Sequence, residues 1–406
     1  MSTFDDIRPY RDDEVPQVIS RLRHDEQLVR AIEHYKFPRL SKYCRSLTSF
    51  LVRRNLQHNL RRINTIHDVQ NMVAGFMTNT VRKTTSGFTY EGLDKLPKDR
   101  ACLFISNHRD IAMDPALVNF ALYQSGRELV EIAIGDNLLS NPLVSDIMRL
   151  NRSFTVKRSV EGHKAKLQAL TQLSAYIDDT LSQNRSIWIA QREGRAKNGL
   201  DKTDPAIIKM LNIYGRKQGM AFADTIKRMN IVPVSISYEY DPCDLLKAKE
   251  LQAREQSEYV KGEGEDITSI IRGISCPKGR VHIAFGEPLQ QDFENAEEVA
   301  AAIDRQITRN YKLFPSNILA FEQLKTLSES FAHLQEESLH RLQELAGQAR
   351  QAWDNLDRDE MGQKASEFSD RVGGYPNLLQ RYILEMYANP LINKFAGAPG
   401  DSAPQT

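Results

Sequence analysis

Cysteine is scarce in this chain: four in 406 residues, Cys44, Cys102, Cys243 and Cys276, with no paired spacing. Such scatter argues against a disulfide framework or a zinc site and fits a reducing, cytoplasmic setting. Long apolar runs are missing too. No stretch approaches the roughly 18 to 20 residues needed to cross a bilayer, and the first residues are polar and charged rather than leader-like. The expectation is a protein that is soluble or lies on a membrane surface. A charge excess is also lacking, since 54 Lys and Arg stand against 53 Asp and Glu for a formal net charge of +1. General nucleic-acid binding, which rests on a strong basic excess, is thereby disfavoured. The sequence contains no Gly-x-Ser-x-Gly elbow, no His-Glu-x-x-His, no Gly-x-x-x-x-Gly-Lys and no Gly-x-Gly-x-x-Gly. Serine hydrolase, zinc protease, nucleotide hydrolase and dehydrogenase readings therefore have no motif to rest on.

What is present begins with Ser106-Asn107-His108-Arg109-Asp110-Ile111-Ala112-Met113-Asp114-Pro115-Ala116. The apolar run Ala101–Ile105 before it reads as a short buried strand, and the apolar residues after Pro115 read as the start of a helix. His108 is thus expected at a strand-to-helix turn, where α/β folds commonly place their chemistry. A histidine beside a carboxylate can act as a general base on a hydroxyl. Both Asp114 and Asp110 are candidates for that carboxylate; a purely structural cap is the plainer alternative.

Three more segments follow. Asn151–Arg158 reads as a short strand ending in Lys157 and Arg158. Ile187–Lys197 reads as a buried strand running into Glu193-Gly194-Arg195, with Lys197 close behind. Ile231-Val232-Pro233-Val234-Ser235-Ile236-Ser237-Tyr238 reads as an apolar strand whose proline suggests a sheet edge or a strand end. A further strand is expected over Arg280–Leu289, where His282 alternates with apolar neighbours as a structural histidine would.

Taken in order from about Phe88 to Phe314, these segments resemble the blocks of the glycerolipid acyltransferase superfamily. The first block departs from the family pattern, with five residues rather than four between His108 and Asp114. The third keeps Glu193, Gly194 and Arg195 in type but lacks the family's threonine. The resemblance implies an α/β fold with a mixed, mainly parallel sheet flanked by helices, and transfer of a fatty acyl group to a hydroxyl of glycerol 3-phosphate or lysophosphatidate. The implied donor is acyl-CoA or acyl carrier protein, and no metal or other cofactor is called for. On that resemblance His108, with Asp114 or Asp110, would be catalytic. Arg158, Lys157, Glu193, Gly194, Arg195 and Lys197 would bind the phosphorylated acceptor. Between residues 151 and 230 the chain carries 15 Lys or Arg against 7 Asp or Glu, a local balance of +8 that would attract anionic substrates. A catalytically inactive lipid-binding or scaffold protein of the same fold is the competing reading, favoured by the altered spacing.

The remaining pattern divides the chain into a helical region over 1–85, the acyltransferase domain over 86–314, a helical region over 315–397 and a disordered tail over 398–406. In the first of these, Leu40, Tyr43, Leu47, Phe50 and Leu51 alternate at helical spacing with Lys42, Arg45, Arg53, Arg54, Arg61 and Arg62. A basic amphipathic helix of this kind either packs on its own protein, the commoner case, or lies in the headgroup region of an anionic membrane. A long helix is expected from Ile318 to about Ala352, then a break at Gly373-Gly374-Tyr375-Pro376 and a helix over Leu378–Tyr387. These last helices could pack on the N-terminal ones, dimerise or dock a partner.

Overall fold

The computed structural model describes residues 4–37, 39–256, 259–260, 262, 264–325, 340, 344, 347 and 358–395. Much of the helix expected up to Ala352 and the whole tail 398–406 lie outside the described residues. The described strands are β1 (Gly87–Glu91), β2 (Leu103–Ser106), β3 (Glu131–Gly135), β4 (Ser153–Val156), β5 (Ile187–Ala190), β6 (Ile231–Tyr238) and β7 (Arg280–Phe285). They form one sheet in the order β1-β7-β6-β2-β5-β3-β4. Pairs β1–β7, β2–β6, β3–β4 and β3–β5 are parallel, whereas β6–β7 is antiparallel. The mixed, mainly parallel sheet flanked by helices is the one expected. Its central strands are short apolar runs because helices cover parallel sheets and leave no face for alternating polar residues.

The proline of β6 does not mark an edge. β6 lies between β7 and β2 and is buried throughout. Pro233 falls one residue before Val234, where antiparallel pairing with Phe285 begins, and its carbonyl accepts from Gly286 N at 2.8 Å. Its missing N–H therefore costs a single ladder bond at the end of β7. On the other side Pro233 stands opposite Ile105 of β2 without breaking that register.

Contacts between Cα atoms divide the chain into two compact units. The first comprises residues 1–78 and 128–188. Its core joins Val15, Val18, Ile19 and Leu22 of the helix Val15–His24 to Val52, Leu56 and Leu60 of the helix Arg45–Leu60, with Leu150. The helix Pro142–Leu150 starts at Asn141, whose side chain accepts from Leu143 N at 2.9 Å and satisfies one of the open N-terminal donors. In β3, a Cβ at Gly135 would lie 2.5 Å from Asn137 Oδ1 and 3.1 Å from the Arg158 guanidinium, so glycine here leaves room for both side chains.

The expectation that the basic helix buries its apolar residues on its own protein is corrected. Leu40, Tyr43, Leu47, Phe50 and Leu51 are all exposed, and the face of Arg45–Leu60 turned inward is the one bearing Thr48, Val52, Leu56 and Leu60. These sit about 100° to 220° round the helix from Leu47 at 100° per residue. The buried stripe was present in the sequence but is less apolar in appearance than the exposed one.

The second unit comprises residues 79–127 and 189–406. Here the chain's last two described helices, Arg358–Gly373 and Asn377–Phe395, pack with the helices Pro315–Lys325 and Asp244–Gln256. Their core includes Phe321, Phe368, Ile383, Tyr387 and Leu391. The break at Gly373–Pro376 is where the sequence places it, while the final helix runs on to Phe395 with Pro390 inside it. Polar anchors fix this packing: Tyr387 OH and Arg371 Nε donate to Asp244 at 2.9 and 2.7 Å. The helices thus line their own unit.

Candidate active site

β2 ends at Ser106, and the turn that follows is held from two sides within the second unit. Asn107 Oδ1 accepts from Ile236 N at 2.7 Å while its Nδ2 donates to Ile236 O at 3.0 Å, a two-point bond to β6. Downstream, Gln191 N donates to Ser106 O and Ala196 N to His108 O, both at 2.8 Å. The Glu193-Gly194-Arg195 turn is thereby tied to the histidine's own backbone. Gly194 has φ of +76°, a left-handed conformation that glycine adopts without steric cost.

The carboxylate on His108 is that of Asp114, whose Oδ2 lies 2.8 Å from Nδ1. Oδ2 also accepts the backbone N–H groups of Arg109 at 2.6 Å and Asp110 at 2.9 Å, and Oδ1 accepts from Tyr238 OH at 2.8 Å. Asp114 is fully buried in the first turn of the helix Met113–Gln124, where the helix dipole favours a negative charge. Four donors replace the water it gives up. The His108 side chain, by contrast, keeps 15% of its surface exposed. With Nδ1 engaged by the carboxylate, Nε2 is the nitrogen that can take a proton from an incoming hydroxyl.

Asp110 does something else. Its Oδ1 accepts from Ala112 N at 3.0 Å and Met113 N at 2.9 Å, closing the turn that accommodates the additional residue between His108 and Asp114. The alternative pairing of Asp110 with His108 is thus not the one formed. Its Oδ2 is buried with no hydrogen-bond partner, and a Cβ at Gly273 would lie 2.3 Å from it, so glycine is required in the helix Glu265–Ser275 at this approach. Burial, and secondly the Asp114 charge, push the Asp110 carboxyl up from 3.8 to about 6.

The folded state therefore holds this proton more tightly than the unfolded chain. Stability from that difference is complete below pH 4 and is lost as pH rises through 6. Asp110→Asn keeps an oxygen for the two N–H groups and removes the buried charge. It should be more stable than wild type at pH 7 by about 2–3 kcal/mol, and the advantage should vanish near pH 4. Urea unfolding at both pH values measures this; a variant less stable at pH 7 would show that the carboxylate is needed charged.

Around the turn, Arg109 turns away from the histidine, and its guanidinium bonds Asp201 at 2.6 Å and Gly199 O at 3.1 Å. The Arg109 carbonyl accepts from Lys247 Nζ at 2.7 Å, and Lys247 is itself ion-paired with Asp241. Both pairs are buried, so each charge is matched where desolvation is costly. None of Tyr238, Arg109, Asp201, Lys247 or Gly273 stands out as a site residue in the sequence. Tyr238 does share the parity of Val234 and Ile236 on β6, the one trace it leaves.

Arg195 donates to Ser269 Oγ at 3.3 Å through Nη2, while its Nη1 is buried without a partner. Lys197 forms an ion pair with Glu250 at 2.8 Å, which meets its charge within the fold, and Glu193 is exposed. These three, with Gly194, lie in the same unit as His108 and Asp114. Lys157 and Arg158 lie in the first unit, just beyond β4; Lys157 is bonded to Asp6 and to Gln172 at 3.3 Å. His282 is held by Thr89 Oγ1 at 2.8 Å, consistent with a structural histidine. Among the described residues no group of three or more His, Cys, Asp and Glu is arranged to hold a metal ion.

A histidine oriented by a buried carboxylate at the carboxyl ends of β2 and β6 can act as a general base on a hydroxyl. Residues 87–237 match the acyltransferase family model. The chain is 23% identical over 205 residues, 49% of its length, to the dihydroxyacetone phosphate acyltransferase of Bos taurus, and the match spans 28% of that protein. Among solved structures it is similar to the 1-acyl-sn-glycerophosphate acyltransferase PlsC of Thermotoga maritima, with 18% identity and a TM-score of 0.37, covering 60% of this chain and 78% of that one. Residues 87–237 thus carry the sequence pattern of an acyltransferase domain, and part of the chain is similar in sequence to a glycerolipid acyltransferase.

Proposed function

We propose that the protein transfers a fatty acyl group from acyl-CoA or acyl carrier protein to a hydroxyl of lysophosphatidate or glycerol 3-phosphate, at the cytoplasmic face of a membrane. The observation that carries this reading is the His108–Asp114 pair at 2.8 Å, formed although one residue more than usual separates the two.

In the reaction His108 Nε2 takes the proton from the acceptor hydroxyl as its oxygen attacks the thioester carbon. The tetrahedral intermediate then collapses, the carbon–sulfur bond breaks, and the imidazolium returns the proton to the departing sulfur. Asp114 holds the ring and stabilises its cationic form, as a buried carboxylate does in other acyl-transfer sites. Asp110 holds the turn rather than a proton in flight. The acceptor phosphate is assigned to Arg158, with Lys157 and Arg195 adding charge, because a guanidinium grips a phosphate through two parallel donors. Lys197, paired with Glu250, takes a smaller share than the sequence alone implies. Glu193 orients a neighbouring cation or a glycerol hydroxyl.

Lysophosphatidate and glycerol 3-phosphate both offer a phosphate for these cations and a hydroxyl for the base. The relation to a dihydroxyacetone phosphate acyltransferase adds a third phosphorylated three-carbon acceptor to test. Thiol release from long-chain acyl-CoA with each of the three acceptors decides among them. Arg158→Ala should raise the acceptor KM at least tenfold, the loss of a charge-assisted pair worth roughly 1.5–3 kcal/mol, with a much smaller change in kcat. An unchanged KM would remove Arg158 from the phosphate site. The inactive-scaffold reading rested on the altered spacing, and the intact histidine–carboxylate bond takes that support away.

A further inference from the structure

The first unit contains an open cavity of about 760 Å3 lined by Arg23, His24, Leu51, Arg54, Asn55, Gln57, His58 and Arg61. Three arginines and two histidines face it and no carboxylate does. Arg53, next in sequence, is paired with Glu26, whereas Arg54 and Arg61 have no ion pair among the described residues. Arg23 is fixed in place, with Nη2 donating to Leu60 O at 2.6 Å and Nε buried without a partner. Favourable placement of cations at a helix C-terminus explains one or two such charges. It does not explain a concave cluster of this size free of acids.

The side of the helix Arg45–Leu60 that carries the cavity is graded along its length. Leu47, Phe50, Leu51, Arg54, His58 and Arg61 fall within an arc of about 100°. The first half of this stripe is apolar and exposed, Leu47 at 53% and Phe50 at 58%, and Tyr43 just before the helix is 87% exposed. The second half is cationic. From Leu47 to Arg61 the stripe spans about 21 Å at 1.5 Å per residue. An apolar segment continuous with a cationic cleft over that distance is complementary to an amphiphile with an anionic head.

We propose that this cleft is a binding site for the phosphate of an anionic membrane lipid: Arg23, Arg54 and Arg61 grip the headgroup while Tyr43, Leu47, Phe50 and Leu51 enter the acyl region beside it. The site rests on the reading that the protein works at a membrane surface, and it specifies which lipids that surface must contain. Guanidinium groups suit phosphate through paired donors, and cations near an anionic surface act through the surface potential as well.

The test is sedimentation of the full chain with phosphatidylcholine vesicles, with and without phosphatidylglycerol, and calorimetric titration with inorganic phosphate. Wild type should partition preferentially onto the anionic vesicles. Arg54→Gln with Arg61→Gln should lose about 25-fold, on the scale of fivefold per cation. Lys164→Gln with Lys166→Gln, which removes two exposed cations elsewhere in the same unit, should lose much less. Leu47→Ser with Phe50→Ser should weaken binding to both kinds of vesicle. Equal binding of wild type to both vesicles would overturn the headgroup site and leave the membrane reading standing. Equal losses in the two charge variants would reduce the effect to overall charge and also overturn it. Binding to neither vesicle would overturn the membrane reading together with the proposal; phosphate heat lost in the Arg54/Arg61 variant would then give the cleft to a soluble phosphate ester.

Discussion

Replacing His108 with alanine is expected to lower acceptor-dependent turnover by about 10³-fold, within the range that removal of a general base commonly produces, and to leave the fold intact. The ring sits at the site's rim, with 15% of its side chain exposed. After its removal Asp114 still accepts from Arg109 N, Asp110 N and Tyr238 OH. These three donors keep their acceptor, so the stability change should stay near that of an ordinary surface truncation. Circular dichroism and urea unfolding beside the activity assay separate the two effects. The KM for the acceptor should change little, because the assigned role of the imidazole is exerted in the transition state rather than in binding.

Asp114→Ala should be the more damaging change to the protein itself. It strips the acceptor from Tyr238 OH and from two backbone N–H groups that are buried, and each orphaned donor costs about 1–3 kcal/mol. A total loss of roughly 3–5 kcal/mol is expected, the range seen when one partner of a buried charged cluster is removed. Asp114→Asn separates structure from catalysis. With its oxygen turned toward His108 and the two N–H groups, and its amide toward the lone pairs of Tyr238, the asparagine satisfies most of the cluster. Stability should largely return. Turnover should not, remaining on the order of 10²-fold or more below wild type, since the imidazolium formed in the reaction no longer faces a negative charge. Urea midpoints and kcat for the two variants check this. An Asp114→Asn enzyme of ordinary activity would mean that Asp114 only builds the turn.

The strands around this site were legible because each is a short, wholly apolar run, as in Leu103–Ser106 and Ile187–Ala190, and such runs have few other uses in a soluble domain. Pro233 misled for a local reason. Its effect on the sheet depends on where β7 stops, which is decided 52 residues later at Phe285. The choice between Asp110 and Asp114 was open in the sequence because both stand within one helical turn of each other. The backbone settles it: Asp110 folds back on the N–H groups of Ala112 and Met113, leaving Asp114 to face the ring. Asp201, Lys247 and Gly273 left no sign in the sequence, and Tyr238 left only its parity on β6, for a different reason. Each reaches the His108 turn from more than 90 positions away, and a single chain read alone carries no record of such contacts. The amphipathic helix shows the limit from the other side. Its two stripes, one apolar and conspicuous, the other built of Thr48, Val52, Leu56 and Leu60, compete for the core, and packing against Val15–Leu22 selected the second.

The central claim is that His108, set by Asp114, is the base of an acyl transfer to a phosphorylated glycerol. Its most direct test is release of thiol from long-chain acyl-CoA, and from acyl carrier protein if acyl-CoA is inert, by wild type and by His108→Ala, each with and without lysophosphatidate or glycerol 3-phosphate. Release is expected to require an acceptor and to fall by about 10³-fold in the variant. Acceptor-dependent release of equal rate in both proteins, or none from wild type with either donor, would contradict it.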